Sequence, residues 1–85
     1  MPNTKTDHDR TEILARILEQ CKQPTAKTRI IHKTNTSYLT GLMFISHLQK
    51  IGMLNLDHDS KKYETTEKGS EYLKNYSELR KLLTR

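Results

Sequence analysis

Basic side chains are concentrated in the middle of this chain of 85 residues. The segment from Lys22 to Lys62 carries seven basic residues and two acids, whereas the remainder carries eight of each. The seven are Lys22, Lys27, Arg29, Lys33, Lys50, Lys61 and Lys62. No Asp or Glu occurs from Gln20 to Leu56, so the whole formal excess of +5 lies in this segment. Lysine and arginine placed in this way can neutralise phosphates, although a run of charges can also be only a solvated face.

The other residue types that could do chemistry form no recognisable pattern. The four histidines are scattered, at His8, His32, His47 and His58. No two are four residues apart, and a Cys-x-x-Cys motif is impossible with the single Cys21. No glycine-rich phosphate loop is present, and no nucleophile has a base beside it in a known motif. We therefore expect no cofactor, no metal and no enzymatic activity.

The single cysteine excludes an internal disulfide and fits a reducing, cytoplasmic location. We expect Cys21 to be a small buried residue rather than a reactive thiol. There is no apolar run of 18 residues, so no membrane association is expected. A chain of this length forms one domain with a thin core.

A short helix is predicted over residues 26–33, followed by a polar turn at 34–36. Thr25 can cap this helix because its hydroxyl can accept a hydrogen bond from a first-turn N–H group. The Thr-Asn-Thr turn then interrupts the apolar pattern with side chains that compete for backbone hydrogen bonds.

A longer helix is predicted over residues 38–51. Ser37 can cap it, and Gly52 can end it in the left-handed conformation. One stripe follows the helical spacing of three and four: Tyr38, Gly41, Phe44, Ile45 and Leu48. A short helix, a tight turn and a longer helix make a helix-turn-helix candidate, in which the second helix would enter a DNA groove.

The elements before and after this pair complete the predicted domain. Residues 1–8 are expected to form a disordered tail, and a scaffold helix follows over residues 10–21, capped by Asp7 or Asp9. Two short strands flank the turn-forming residues 57–60 and predict a β-hairpin that resembles the wing of a winged helix.

The last predicted helix begins after Thr66, its N-cap, and runs to about Leu83. Gly69 near its start predicts close packing against the hairpin or the first helix. Four residues repeat at spacings of four, three and four: Tyr72, Tyr76, Leu79 and Leu83. This seam is typical of a coiled-coil contact between two chains, or it closes the core of the domain itself.

Three stretches carry a resemblance to a known family: KTRIIHKTNTSY from Lys27, LQKIGML from Leu48 and YETTEKGSEYLKNY from Tyr63. They resemble archaeal winged-helix proteins, including small DNA-binding chromatin proteins of the 10a type and short transcriptional regulators. The Tyr-x-x-Thr-Glu-Lys-Gly run from Tyr63 to Gly69 is the most specific part.

The resemblance implies a mainly α winged helix-turn-helix with a small β-hairpin, in the order α-α-α-β-β-α. Its C-terminal helix would pair as an antiparallel coiled coil in a homodimer, and its ligand would be double-stranded DNA. The basic residues of the family's second helix correspond to Lys27, Arg29 and Lys33, and its wing contacts to Lys61 and Lys62.

The sequence therefore predicts a tail at 1–8, a winged-helix domain at 9–66 and a dimerisation helix at 67–85. The expected function is a dimeric, nucleoid-associated transcriptional regulator or chromatin protein that binds DNA mainly through phosphates. The predicted DNA contacts are Lys27, Arg29, Lys33, Ser37, Tyr38, Thr40, His47, Lys50, Lys61 and Lys62. The predicted dimer contacts are Tyr72, Tyr76, Leu79 and Leu83.

One feature of the longer helix favours an alternative function. Its exposed face is expected to carry Leu39, Leu42 and Met43, and it has a single formal charge and no arginine. Bidentate base contacts usually come from Arg, Asn or Gln, and only Gln49 qualifies here. These apolar residues could contact thymine methyl groups, or the chain could be a winged-helix module that binds another protein.

Overall fold

The computed structural model describes residues 3–83 of the chain, with side chains described from residue 10 onward. The elements in order are α1 (Asn3–Gln20), β1 (Thr25–Ala26), α2 (Lys27–Thr34), α3 (Tyr38–Lys50), β2 (Leu54–Asp57), β3 (Lys62–Thr65) and α4 (Glu67–Leu83). Four helices and a small antiparallel sheet form a winged helix-turn-helix, so the predicted fold class is confirmed.

The sheet has three strands rather than the two that the hairpin predicts, in the order β1-β3-β2. Thr25 pairs with Tyr63 and Ala26 with Lys62, while Leu56 faces Tyr63 from the other side. The prediction that Thr25 caps α2 is therefore wrong. Its hydroxyl donates to the carbonyl oxygens of Gln20, at 3.2 Å, and Gln23, at 2.8 Å. Ala26 takes the N-cap position and makes no side-chain hydrogen bond.

Helix α1 begins at Asn3, earlier than the predicted start near Arg10. Asp7 and Asp9 consequently lie within the helix and not at its cap. Once a buried stripe has nucleated a helix, each added residue costs little, so weak helix formers can extend it. Met1 and Pro2, at the start of the predicted tail, lie outside the described residues.

The core lies where α1, α2 and α3 meet the sheet. Six side chains are almost completely buried: Ile17, Leu18, Cys21, Ile30, Ile45 and Leu48. Burial raises the pKa of the Cys21 thiol to about 12, because the thiolate would lose its hydration. The expectation that Cys21 is a buried apolar residue is confirmed.

Helix α3 begins and ends as predicted. The Ser37 hydroxyl accepts a hydrogen bond from the Thr40 amide at 3.2 Å. Gly52 has a φ of +84°, and its amide and that of Met53 donate to the carbonyls of Gln49 and Leu48. These two bonds form a Schellman motif, for which glycine is the favoured residue.

The stripe predicted on α3 is partly correct. Gly41, Ile45 and Leu48 are buried, whereas the Tyr38 side chain is 52% exposed. Tyr38 is the first residue after the N-cap, where the helix has just left the turn. The helical period predicts burial there, but no neighbouring element in the described part of the chain covers the side chain. Leu39 and Met43 are exposed as expected, but Leu42 is half-buried against the core.

A junction at Thr65 and Thr66 joins three helices. The Thr65 hydroxyl donates to the Leu18 carbonyl at 2.6 Å, and its amide donates to the Cys21 carbonyl at 2.7 Å, at the end of α1. The Thr66 hydroxyl donates to the Gly52 carbonyl at 2.6 Å, just beyond α3. It also accepts from the Gly69 amide at 3.2 Å and so caps α4 as predicted. Carbonyls at the ends of two helices, which have no intrahelical donors, are thus satisfied.

Gly69 lies where this junction is tightest. A β-carbon at this position would be 2.6 Å from the Met53 carbonyl oxygen and 2.7 Å from the Thr65 methyl carbon. It would also lie 3.3 Å from a methyl carbon of Leu18. The prediction of close packing at Gly69 is confirmed, against both the hairpin and α1.

The two halves of α4 have different environments. Leu73 is buried, and Tyr72 and Tyr76 are half-buried against the core with their rings stacked, the centroids 6.2 Å apart. Beyond them, Leu79, Leu82 and Leu83 are 58%, 69% and 80% exposed. The first half of the predicted seam therefore contributes to the core, and the second half is left on the surface. Among the described residues, no helix is long and apolar enough to cross a membrane.

Candidate nucleic-acid interface

A cavity between α2 and the hairpin brings three of the predicted basic residues together. Arg29, Lys33 and Lys62 line this space of about 510 Å³, which we call the α2–wing groove. Arg29 and Lys33 are four residues apart and share one face of α2. Lys62 joins them because the register of the sheet sets it opposite Ala26, directly before α2.

The remaining wall of the α2–wing groove is mainly uncharged. Gln20, Gln23 and Pro24 line it from the end of α1 and the following loop. Among the described residues that line it, the one acid is Glu19, whose carboxylate lies 3.3 Å from the Lys22 ammonium group. The groove thus presents a net positive charge, suited to a phosphate or another anion.

The tip of the wing is ordered by Asp57. Its carboxylate accepts hydrogen bonds from the Ser60 amide, at 3.1 Å, and the Ser60 hydroxyl, at 2.7 Å. These bonds stabilise the anion and lower the pKa of Asp57. Lys61 follows with a φ of +62°, and its amide donates to the Asp57 carbonyl at 2.7 Å. The predicted turn at 57–60 is present, and it holds the exposed Lys61 beside Lys62.

The polar residues predicted at the start of α3 form a local pair. The Ser37 hydroxyl donates to the Thr40 hydroxyl at 2.8 Å, and the exposed Tyr38 lies between them in the chain. Lys27, in the first turn of α2, is half-buried and does not line the α2–wing groove.

A second groove, which we call the α1–α3 groove, contains the two basic residues predicted on α3. His47 and Lys50 border this space of about 470 Å³ together with Arg10 of α1. Its apolar wall is formed by Leu14, Met43 and Phe44. Sequence reasoning did not select Arg10, because only the packing of α1 against α3 places it there. The helical spacing puts Arg10 and Leu14 on one face of α1, which was the one available signal. The sequence did not show that α3 packs beside this face.

The ten predicted contacts therefore fall into separate groups. Arg29, Lys33 and Lys62 share the α2–wing groove, and His47 and Lys50 share the α1–α3 groove. The other five lie at the starts of α2 and α3 and on the wing turn. Within the described range, no three His, Cys, Asp or Glu side chains come close enough to hold a metal ion.

Comparisons with known proteins agree with this architecture. A family model described as winged helix-turn-helix matches residues 8–84. The crystal structure of Sso10a-2, a DNA-binding protein from Sulfolobus solfataricus, is similar to this chain with a TM-score of 0.76 and 29% sequence identity. The match covers 87% of this chain and 80% of that one. No match was found among curated proteins.

Proposed function

Because the chain belongs to the winged helix-turn-helix family, we propose that it is a dimeric protein that binds duplex DNA mainly through backbone phosphates. Its role would be that of a transcriptional regulator or a component of the nucleoid, not of an enzyme. The similarity to Sso10a-2, which is a DNA-binding protein, supports DNA as the ligand.

The observation that carries this proposal is the α2–wing groove. Arg29 and Lys33 come from α2, and Lys62 comes from the wing, 29 residues further along the chain than Lys33. Positive side chains brought together from two elements in one groove match the spacing of phosphates better than a dispersed surface charge does. Phosphate contacts position a protein on DNA but carry no sequence information.

The exposed face of α3 supports weak sequence specificity. Its polar groups include Ser46, His47 and Lys50, and it has no arginine for a bidentate contact with guanine. Leu39 and Met43 offer contacts to thymine methyl groups at most. We therefore expect one duplex to bind nearly as well as another.

Salt titration tests the proposed function. Each phosphate contact releases condensed counterions and contributes a slope of about −0.9 to log K against log salt. Five basic residues per chain, Lys27, Arg29, Lys33, Lys61 and Lys62, give an upper bound of roughly −9 for a dimer. About half that slope is expected, since not every side chain reaches a phosphate. Binding of one random duplex, followed by fluorescence anisotropy, should fall by orders of magnitude between about 50 and 200 mM salt. No binding at the lower concentration would contradict the proposal.

We propose that the dimer forms through α4. Its outer half exposes Leu79, Leu82 and Leu83, and these residues continue the seam that Tyr72 and Tyr76 begin against the core. Pairing of two such helices would cover leucine side chains that the protomer leaves in water.

Leu79→Glu should break this dimer. The change would bury a carboxylate in an apolar interface, which is strongly unfavourable, whereas the isolated protomer tolerates it because Leu79 is exposed there. Sedimentation at tens of micromolar should show a dimer for the parent and a monomer for the variant. Lys74→Glu adds a negative charge on the opposite side of α4 and should leave the dimer intact. A monomeric parent protein would refute dimerisation.

A further inference from the structure

The α1–α3 groove combines an apolar wall with a basic rim. Leu14, Met43 and Phe44 supply the apolar surface, and Arg10, His47 and Lys50 stand around it. Among residues 10–83, whose side chains the structure describes, no acidic residue lines the groove. The described residues of the α2–wing groove form no comparable apolar wall. The α1–α3 groove therefore suits a ligand that is both apolar and negatively charged.

The apolar surface continues along α3 beyond the groove. Met43 is 68% exposed and Leu39, one turn earlier on the same face, is 76% exposed. From Leu39 to Lys50 this face extends over about 16 Å. The major groove of DNA offers thymine methyl groups as its only apolar contacts, so DNA alone would leave much of this surface without a matching partner.

We propose that the α1–α3 groove binds an acidic amphipathic helix of a partner protein, and that this helix and duplex DNA exclude each other. Leucine-like side chains on one face of such a helix would lie against Met43, Phe44 and Leu14. Its acidic residues would meet Arg10, His47 and Lys50 at the rim, where opposite charges favour the complex. The exclusion rests on the proposed function, whereas the docking itself does not.

A designed peptide tests the docking. The probe is a fluorescein-labelled helix of about 18 residues, with leucines at i, i+3, i+4 and i+7 and glutamates on the other face. The control has the same composition with the leucines dispersed around the helix. The amphipathic peptide should bind the full chain at least about tenfold more tightly, a difference of about 1.4 kcal/mol. Equal binding of the two peptides would mean unspecific charge attraction and would overturn the proposal.

Variants locate the site. Met43→Glu removes an apolar contact and adds a like charge, and Lys50→Glu reverses a charge at the rim. Each substitution should lower the affinity for the peptide about tenfold or more. Lys74→Glu makes the same charge change on α4 and should bind the peptide like the parent. Equal losses from Lys50→Glu and Lys74→Glu would overturn the assignment of the groove.

Two further measurements separate the other possible occupants. Met43→Glu should leave the oligomeric state in sedimentation unchanged; a change would assign the surface to a second copy of this chain and overturn the proposal. Unlabelled duplex DNA should displace the peptide from the parent protein. Simultaneous binding of peptide and DNA would overturn the exclusion. If the peptide binds and DNA does not bind at all, the proposed function fails while the docking stands.

Discussion

Gly69→Ala is expected to lower the melting temperature by about 8–16 °C, which corresponds to a loss of about 2 kcal/mol for a domain of this size. Alanine stabilises a helix by about 1 kcal/mol relative to glycine, so helix propensity alone predicts a higher melting temperature. Packing decides the outcome, because the new β-carbon would lie 2.6 Å from the Met53 carbonyl oxygen. A backbone oxygen cannot rotate away, and relief requires α4 to separate from the hairpin and α1. Overpacking of this kind typically costs about 1–3 kcal/mol, and here two contacts would be shorter than 3.0 Å.

Two matched variants accompany this measurement by thermal unfolding. Ser70→Ala changes the next, exposed residue and should leave the melting temperature unchanged or slightly raised. Gly41→Ala should also destabilise, because the new β-carbon would lie 2.7 Å and 3.0 Å from the two γ-carbons of the buried Ile31. These carbons are held close to the Ile31 backbone, so this variant gives a second measure of what overpacking costs in this core. A melting temperature for Gly69→Ala equal to that of the parent would contradict the packing that the structure describes.

The double variant Lys33→Gln/Lys62→Gln is expected to lower DNA affinity by about two orders of magnitude per protomer at 50 mM salt. Counterion release makes each phosphate contact worth about 1.6 kcal/mol at that concentration relative to 1 M, and two contacts are removed. The slope of log K against log salt should become less negative by about 1.8 per protomer. Both residues are exposed, so the fold should be unaffected.

The control is Lys74→Gln/Lys81→Gln, which removes the same charge from the exposed surface of α4. Its affinity should decrease only slightly, through the smaller long-range field. The losses should be the same for duplexes of different sequence, since phosphates are common to all of them. Equal losses from the two double variants would show that DNA binding is diffuse and not centred on the α2–wing groove.

The parts of the fold that local chemistry determines could be predicted from the sequence. Ser37 and Gly52 define α3 because a hydroxyl can cap a helix and glycine can end one. Strand β1 could not be predicted, because two residues have no periodicity and their partner, β3, lies more than thirty-five residues away. The same long-range pairing removed Thr25 from its expected role as a cap.

The residue types of the candidate site could be predicted from the sequence, but their grouping in space could not. The charge run identified Arg29, Lys33 and Lys62, but only the sheet register shows that they share a groove. The spacing of Arg10 and Leu14 along α1 could not identify Arg10, since its partners His47 and Lys50 are brought to it only by helix packing. Periodicity alone placed Leu42 on the exposed face of α3, whereas the fold half-buries it, because neighbouring elements decide how wide the buried stripe of a helix is.

The junction at Thr65 and Thr66 also bears on how the chain folds. Its hydrogen bonds reach back 47 residues, from the Thr65 hydroxyl to the Leu18 carbonyl, and 14 residues, from the Thr66 hydroxyl to the Gly52 carbonyl. Lys68 adds another, because its ammonium group donates to the Ile51 carbonyl at 2.8 Å. Closing loops of this length costs entropy before the contacts repay it, so the ends of α1 and α3 gain their partners only in the assembled domain. The helix pair that would meet DNA and the helix that would join two protomers should therefore unfold together, in one cooperative transition.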